Sequence, residues 1–197
     1  MTGRVTVGVI AAAALAVLLA SGCGAAAAPL PVRSQPARPT EAPAVQKTLD
    51  LAKAADPCAV VPKSLPLGLG VYGDGQPHAG TDPGSRYCVW ADRVEWPRIS
   101  VGFSGDDPLA AAYRDSDRPA PGGDGPRWKL FEVNSIEGQP AVVRSQRADG
   151  TVLCEVVVGA GKGGGIVVAA GASGANDTSG QCDTAVASAG QVVRSLR

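Results

Sequence analysis

The sequence is poor in the side chains on which most enzyme active sites depend. Only 1 of its 197 residues is histidine, and Phe, Trp and Tyr together make up 4% of the chain. A serine hydrolase needs a histidine base and a Gly-x-Ser-x-Gly turn, and the segment Gly102-Phe103-Ser104-Gly105 has the wrong spacing for that turn. The one histidine, His78, lies among glycines and prolines, which is typical of an exposed loop. The sequence therefore predicts no catalytic residue and no cofactor.

Neither sign of charge is in excess. Lys and Arg number 18, Asp and Glu also number 18, and the formal net charge is +0. Nucleic-acid-binding domains usually carry a clustered basic surface, and strong attraction to anionic lipid needs the same. We therefore expect no nucleic-acid partner.

The chain also lacks an apolar run long enough to span a bilayer, which takes roughly 20 residues in a helix. Residues 5–20 are almost entirely apolar but shorter than this, Arg4 precedes them, and small residues follow at 20–22. That layout is typical of a secretory signal peptide. Residues 1–22 are accordingly predicted to be a signal peptide, which forms no part of the folded domain.

The cysteine that follows is predicted to carry a lipid. The segment Leu19-Ala20-Ser21-Gly22-Cys23 resembles the bacterial lipobox, although Ala20 stands where leucine is usual. The resemblance implies that diacylglycerol is attached to Cys23, which then becomes the mature N-terminus. Two or three acyl chains hold a protein firmly in a membrane, because each buried CH2 contributes about 0.8 kcal/mol. The alternative is an ordinary signal peptide that leaves Cys23 as a free exported thiol.

These features predict a location and a domain organisation. The protein is expected at the extracytoplasmic face of the cell membrane, anchored there through Cys23. Residues 23–49 are rich in alanine and proline and show no apolar periodicity, so they are predicted to be a linker. Residues 50–197 are predicted to form one globular domain, since that length can bury one sizeable core.

The other four cysteines predict two disulfides. Cys58, Cys88, Cys154 and Cys182 form an even set in an exported chain, and four cysteines allow three connectivities. We favour Cys58 with Cys88 and Cys154 with Cys182, because each pair closes a loop of about 30 residues and stabilises by about 3–4 kcal/mol in the chain-entropy model. Zinc and redox sites are disfavoured because no pair has Cys-x-x-Cys spacing.

One glycine-rich segment and one acidic segment resemble ligand-binding loops, but each lacks residues that such a loop requires. The segment GAGKGGG at residues 159–165 resembles a phosphate loop, but Gly163 stands where a Ser or Thr would hold magnesium, so a hairpin turn is favoured. Asp115, Asp117 and Asp124 lie within residues 114–127, but that segment lacks the glycine and the glutamate that a calcium loop places at fixed offsets. It is expected to be a solvated loop at the rim of a partner contact, with no metal bound.

The apolar pattern predicts an α+β fold. Period-two alternation marks strands at residues 86–90, 97–103, 128–134, 140–144, 151–158 and 165–170. We expect five or six of them in one antiparallel sheet. Brief helices are predicted near residues 49–61 and 106–114 from Asp-Pro capping signals.

A longer helix is predicted at the C-terminus, packed on one face of the sheet. Its apolar stripe has spacings of three and four, and the polar residues 176–179 are expected to cap it. The stripe consists of Cys182, Ala185, Val186, Ala189, Val192, Val193 and Leu196.

Trp90 is predicted to lie in the core, whereas Trp96 and Trp128 begin strands and are candidates for exposure.

An ordered set of motifs across the folded part resembles the actinobacterial lipoprotein family known as domain of unknown function 3558. The motifs are Asp56-Pro57-Cys58-Ala59-Val60-Val61, Cys88-Val89-Trp90, Ile136-Glu137-Gly138-Gln139-Pro140-Ala141-Val142, Cys154-Glu155-Val156-Val157-Val158 and Cys182-x-x-Ala185. The resemblance implies an exported, lipid-anchored domain in a mycolic-acid bacterium or a relative of one. It brings no catalytic residues.

Two functional hypotheses follow. The favoured one is a non-catalytic binding or accessory lipoprotein that presents a face of its sheet to a small ligand, a lipid or an envelope protein. The alternative is an envelope-acting enzyme of unrecognised type, with Asp and Arg residues of segment 106–127 as its chemistry. Carboxylates with raised pKa converging in one pocket would favour the enzyme.

Overall fold

The computed structural model describes residues 37–65, 73–80, 84–92, 95–123, 125–150, 152–171 and 180–197. Residues Ala37–Arg197 form one compact unit. The predicted signal peptide, Cys23 and linker residues 23–36 lie outside the described residues, as do Asp124 and residues 172–179. Within the described part, no helix is both long enough and apolar enough to cross a bilayer.

One antiparallel sheet organises the domain. Its strands are β1 Gln76–Ala79, β2 Arg86–Asp92, β3 Glu95–Ser104, β4 Leu130–Ile136, β5 Gln139–Ser145, β6 Leu153–Gly161 and β7 Gly164–Gly171. Their order across the sheet is β1-β2-β3-β7-β6-β5-β4. The valine-rich strands β6 and β7 are central, which agrees with their nearly continuous burial.

The sheet has seven strands rather than the five or six predicted, because β1 has no sequence signature. Its four side chains are all exposed, and Pro77 interrupts it. An edge strand of this kind is held by its pairing with β2 and not by an apolar face of its own. His78 therefore lies on a strand, opposite Tyr87, and not in the predicted loop.

Two tight hairpins join consecutive strands of the sheet. Glu137 and Gly138 connect β4 to β5, and Lys162 and Gly163 connect β6 to β7, all four with positive φ between 51° and 75°. Two consecutive residues of this kind form the turn that matches the twist of paired strands. The 159–165 segment is thus a hairpin, as predicted.

Helix α3, Gln181–Ser195, covers one face of the sheet. Ala185, Ala189, Val192 and Val193 are fully buried against it, and Leu196 is 1% exposed. Cys182 in the first helical turn is bonded to Cys154, near the start of β6. The predicted stripe and its disulfide are confirmed, although the helix begins after Gly180 and has no side-chain cap.

The opposite face carries helix α2, Pro108–Arg114. Asp107 caps it, accepting a hydrogen bond from the backbone amide of Ala110 at 2.9 Å. A second, smaller core forms between α2 and the sheet, made of Leu109, Ala112, Tyr113, Val142 and Val157. The domain therefore has helices on both faces of the sheet, whereas the prediction placed a helix on one.

Residues 37–49, which the sequence analysis assigned to the linker, run along the domain as a strap. Arg38 donates hydrogen bonds to the backbone oxygens of Ser116 (2.7 Å) and Lys129 (3.2 Å). At the far end, Leu49 is buried in the main core and its amide donates to the oxygen of Ala160 at 2.9 Å. The compact unit consequently starts at Ala37.

The second disulfide fixes the segment that follows the strap. A 3-10 helix, Leu51–Ala54, leads into helix α1, Pro57–Val60, which Asp56 caps. Cys58 in α1 is bonded to Cys88, a fully buried residue of β2. Both disulfides thus follow the favoured sequential connectivity, and each joins a helix to the sheet.

Candidate functional site

A cleft of about 590 Å3 opens on the α2 face of the sheet. We call it the α2 cleft. Helix α2 forms one wall and the paired strands β1 and β2 form the other, because α2 packs mainly over β5, β6 and β7 in the part of the chain that the structure describes. The described residues that line its floor and walls include Ala79, Ser85, Tyr87, Ser100, Gly102, Pro108, Ala111, Arg144, Glu155 and Val167.

One residue of the cleft floor, Gly102, is a glycine and leaves its position in the floor without a side chain. The strand register places His78, Tyr87, Gly102 and Val167 in one row across β1, β2, β3 and β7. The rings of His78 and Tyr87 are stacked, with centroids 5.1 Å apart and planes 10° from parallel. Because Gly102 has no side chain, no side chain of the described residues in this row separates Tyr87 from Val167, and all three residues line the cleft.

A second row on the same face supplies polar groups. Ser100 of β3 is followed across the sheet by Ala169 of β7, Glu155 of β6 and Arg144 of β5. Arg144 donates from Nε to Glu155 Oε2 at 2.8 Å, and these side chains are only 16% and 20% exposed. A pair this close and this sheltered is fixed in orientation.

Trp128 also contacts Arg144. The guanidinium carbon of Arg144 lies 4.1 Å from the centre of the indole ring, and that of Arg127 lies 5.1 Å from it. Trp128 is 4% exposed, so the expectation that it could be exposed is wrong. Trp90 is buried at 5% exposure, as predicted.

The rim of the cleft is charged but balanced among the described residues. Arg86, Arg114 and Arg144 line it together with Asp106, Asp107, Asp115 and Glu155. Three of the carboxylates have structural partners: Asp107 caps α2, Asp115 pairs with Arg118 at 2.9 Å and Glu155 pairs with Arg144. Those partners leave Asp106 as the lining carboxylate without such a role in the described part of the chain.

Tyr113 belongs to α2, and its side chain lies in the smaller core between that helix and the sheet. It is 1% exposed and meets Phe131 edge-on at 5.6 Å. Its hydroxyl is buried without a hydrogen-bond partner among the described residues, and burial raises the pKa of that hydroxyl. Tyr113 therefore stays protonated near neutral pH and cannot act as a base there.

The other candidate sites of the sequence do not assemble in the structure. His78 lies at the sheet edge, and Lys162 is exposed on a hairpin. Asp115 is engaged by Arg118, while Asp117 is exposed. Among the residues described, no three His, Cys, Asp or Glu side chains are grouped so that they could hold a metal ion.

The residues that form the cleft floor could not be identified from sequence motifs. Tyr87, Ser100 and Gly102 lie within the strands predicted at 86–90 and 97–103, and no site role was predicted for them. The available signal was the run of small residues at alternate positions of β3, opposite an aromatic residue of β2. That signal has meaning only once the strand register is known.

Comparison with protein families gives one match. The family model described as "Protein of unknown function (DUF3558)" matches residues 18–195. Comparison with the curated proteins and with the solved structures finds no match. Because the family model covers nearly the whole chain, this protein belongs to that family of unknown function.

Proposed function

We propose that the protein is an exported, lipid-anchored binding module, and that the α2 cleft holds its ligand. The observation that carries the proposal is the cleft itself. Its volume of about 590 Å3 falls in the range of small-molecule sites, and its floor is built on a rigid sheet. Such sites usually combine a stacking or apolar wall with a few placed polar groups, and here Tyr87 and the Arg144–Glu155 pair provide both.

Two disulfides support a site that is formed before the ligand arrives. Cys88 lies next to Tyr87 on β2, and Cys154 lies next to Glu155 on β6. Their side chains point to the main core, while the neighbouring side chains point into the cleft. Each bridge therefore fixes a strand that carries a cleft residue, which lowers the conformational cost of binding.

The cleft proposal is tested by capturing ligand. Gly102→Leu fills the floor: a Cβ at this position meets its nearest neighbour, the Cβ of Tyr87, at 3.3 Å, so Tyr87 must shift by a few tenths of an ångström to admit it. Immobilised wild-type chain is expected to retain a small molecule from a soluble envelope extract, identified by mass spectrometry, and Gly102→Leu to retain little of it. Gly105→Ala serves as the matched control, because nothing lies within 4 Å of a Cβ there. Equal retention by all three proteins would refute the cleft as the site.

The anchor proposal rests on the sequence. The lipobox resemblance at Cys23 supports it, and the family match begins at residue 18, ahead of that cysteine. Chain recovered from membranes is expected to carry a diacylglycerol adduct on its N-terminal Cys23 peptide, and Cys23→Ala to lack it. An unmodified thiol in wild-type protein would contradict the anchor. The source in a mycolic-acid bacterium stays a prediction from the resemblance.

One observation favours the enzyme as the second candidate. Asp106, Asp107, Asp115 and Glu155 all line the same cleft. A hydrolase would return captured ligand in cleaved form, and Asp106→Asn would leave it whole. The binding-module proposal instead expects the ligand to be recovered intact from wild type.

A further inference from the structure

We infer that the ligand of the α2 cleft is a neutral saccharide, with one sugar ring stacked on Tyr87. The inference rests on the proposed function and adds the chemical class of the ligand. Three observations carry it: the open face of Tyr87, the width of the gap beside it, and the balanced polar groups at its end.

The gap beside Tyr87 is the width of one ring. Tyr87 and Val167 lie two strand spacings apart on β2 and β7, which is about 10 Å between backbones. Only Gly102 lies between them in that row. The His78 ring stacks on one face of the Tyr87 ring, which fixes the orientation of the ring. The other face of Tyr87 then forms a flat wall. A flat ring with C–H groups on its face fits against such a wall.

The polar end of the cleft matches hydroxyl groups better than an ion. Within the described residues, the terminal nitrogens of Arg144 have no hydrogen-bond partner and remain donors, while Glu155 Oε1 remains an acceptor. Ser100 adds a hydroxyl in the same row. A hydroxyl both donates and accepts, so it satisfies a donor and an acceptor placed side by side, whereas an anion uses only the donor.

The charges at the rim of the cleft also favour a neutral ligand. Three arginines and four carboxylates of the described chain line the cleft, so neither an anion nor a cation is strongly attracted. An acyl chain is disfavoured for another reason, since it would bury seven charged side chains against hydrocarbon. A neutral polyhydroxylated ring carries no net charge, and its hydroxyl groups can hydrogen-bond to the charged side chains of the cleft.

The test uses the full chain in lipid nanodiscs and saturation-transfer NMR with maltotriose, cellotriose and an arabinofuranose trisaccharide. We expect at least one of them to bind, with the strongest transfer to C–H protons on one ring face. Tyr87→Ala should weaken that binding about tenfold through the lost stacking, and Tyr87→Phe should preserve it. Gly102→Leu, which blocks the gap from the floor and keeps the Tyr87 ring, should abolish it.

Two further probes, palmitate and inorganic triphosphate, separate the outcomes. If either binds in a Gly102-dependent manner and no trisaccharide does, the saccharide inference is overturned while the cleft remains a ligand site. Trisaccharide binding that survives both Tyr87→Ala and Gly102→Leu also overturns it. If no probe binds and the capture experiment fails as well, the inference and the proposed function fall together. Thermal unfolding of each variant confirms that it is folded.

Discussion

Replacing Cys154 and Cys182 together by alanine is expected to lower the free energy of unfolding by about 3–4 kcal/mol. The bridge closes a loop with a sequence separation of 28, and the chain-entropy model assigns that amount to a loop of this size. In a domain of this size such a loss lowers the Tm by roughly 10 °C. The bond also ties the first turn of α3 to β6, an interior strand of the sheet, at the fully buried Cys154.

The matched control is the other disulfide. Cys58 and Cys88 have a separation of 30, so the double alanine variant at those positions should lose nearly the same stability, within about 1 kcal/mol. Thermal or denaturant unfolding of both variants measures this. A loss below about 1 kcal/mol at the Cys154–Cys182 pair would show that helix packing alone fixes α3.

Gly165→Ala is expected to destabilise the domain by about 2–3 kcal/mol, because this position has no room for a methyl group. A Cβ there would lie 2.4 Å from Pro108 Cγ and 2.7 Å from the backbone oxygen of Val158. Pro108 begins helix α2, so the substitution also pushes the wall of the cleft away from the sheet. The expected result is a lowered Tm together with weakened ligand retention.

Gly105→Ala is again the appropriate control, since it changes a nearby glycine at which nothing lies within 4 Å of the new Cβ. Its stability should stay within about 0.5 kcal/mol of wild type. If Gly165→Ala matched Gly105→Ala in unfolding experiments, the close contact between α2 and β7 would be refuted.

Local signals in the sequence were sufficient for much of the fold. Helix α3 followed from the spacing of Ala185, Ala189 and Val192, because burial against a sheet imposes the helical period. Helix α2 followed from Asp107 and Pro108, which cap and start it. The disulfides followed from an even count of cysteines and from short loops. Each of these features depends on residues close together in the chain.

The features that the sequence did not predict depend on contacts between segments that are far apart in the chain. Strand β1 exists because β2 offers it a partner, and its own exposed side chains carry no pattern. The strap was predicted to be linker because residues 37–49 show no apolar periodicity, and only the folded domain supplies the oxygens and the core that Arg38 and Leu49 meet. The cleft arises from the same cause, since Tyr87 and Gly102 become neighbours only through the pairing of β2 with β3.

The most direct test of the account is to map where the captured ligand binds. Amide chemical shifts of the isotope-labelled full chain would be recorded with and without the molecule that wild type retains. The account predicts that the largest changes fall on Tyr87, Ser100 and Gly102, and that α3 residues such as Val192 are unaffected. Changes concentrated on α3 or on the strap, with the cleft residues unmoved, would contradict the claim that this cleft is the binding site.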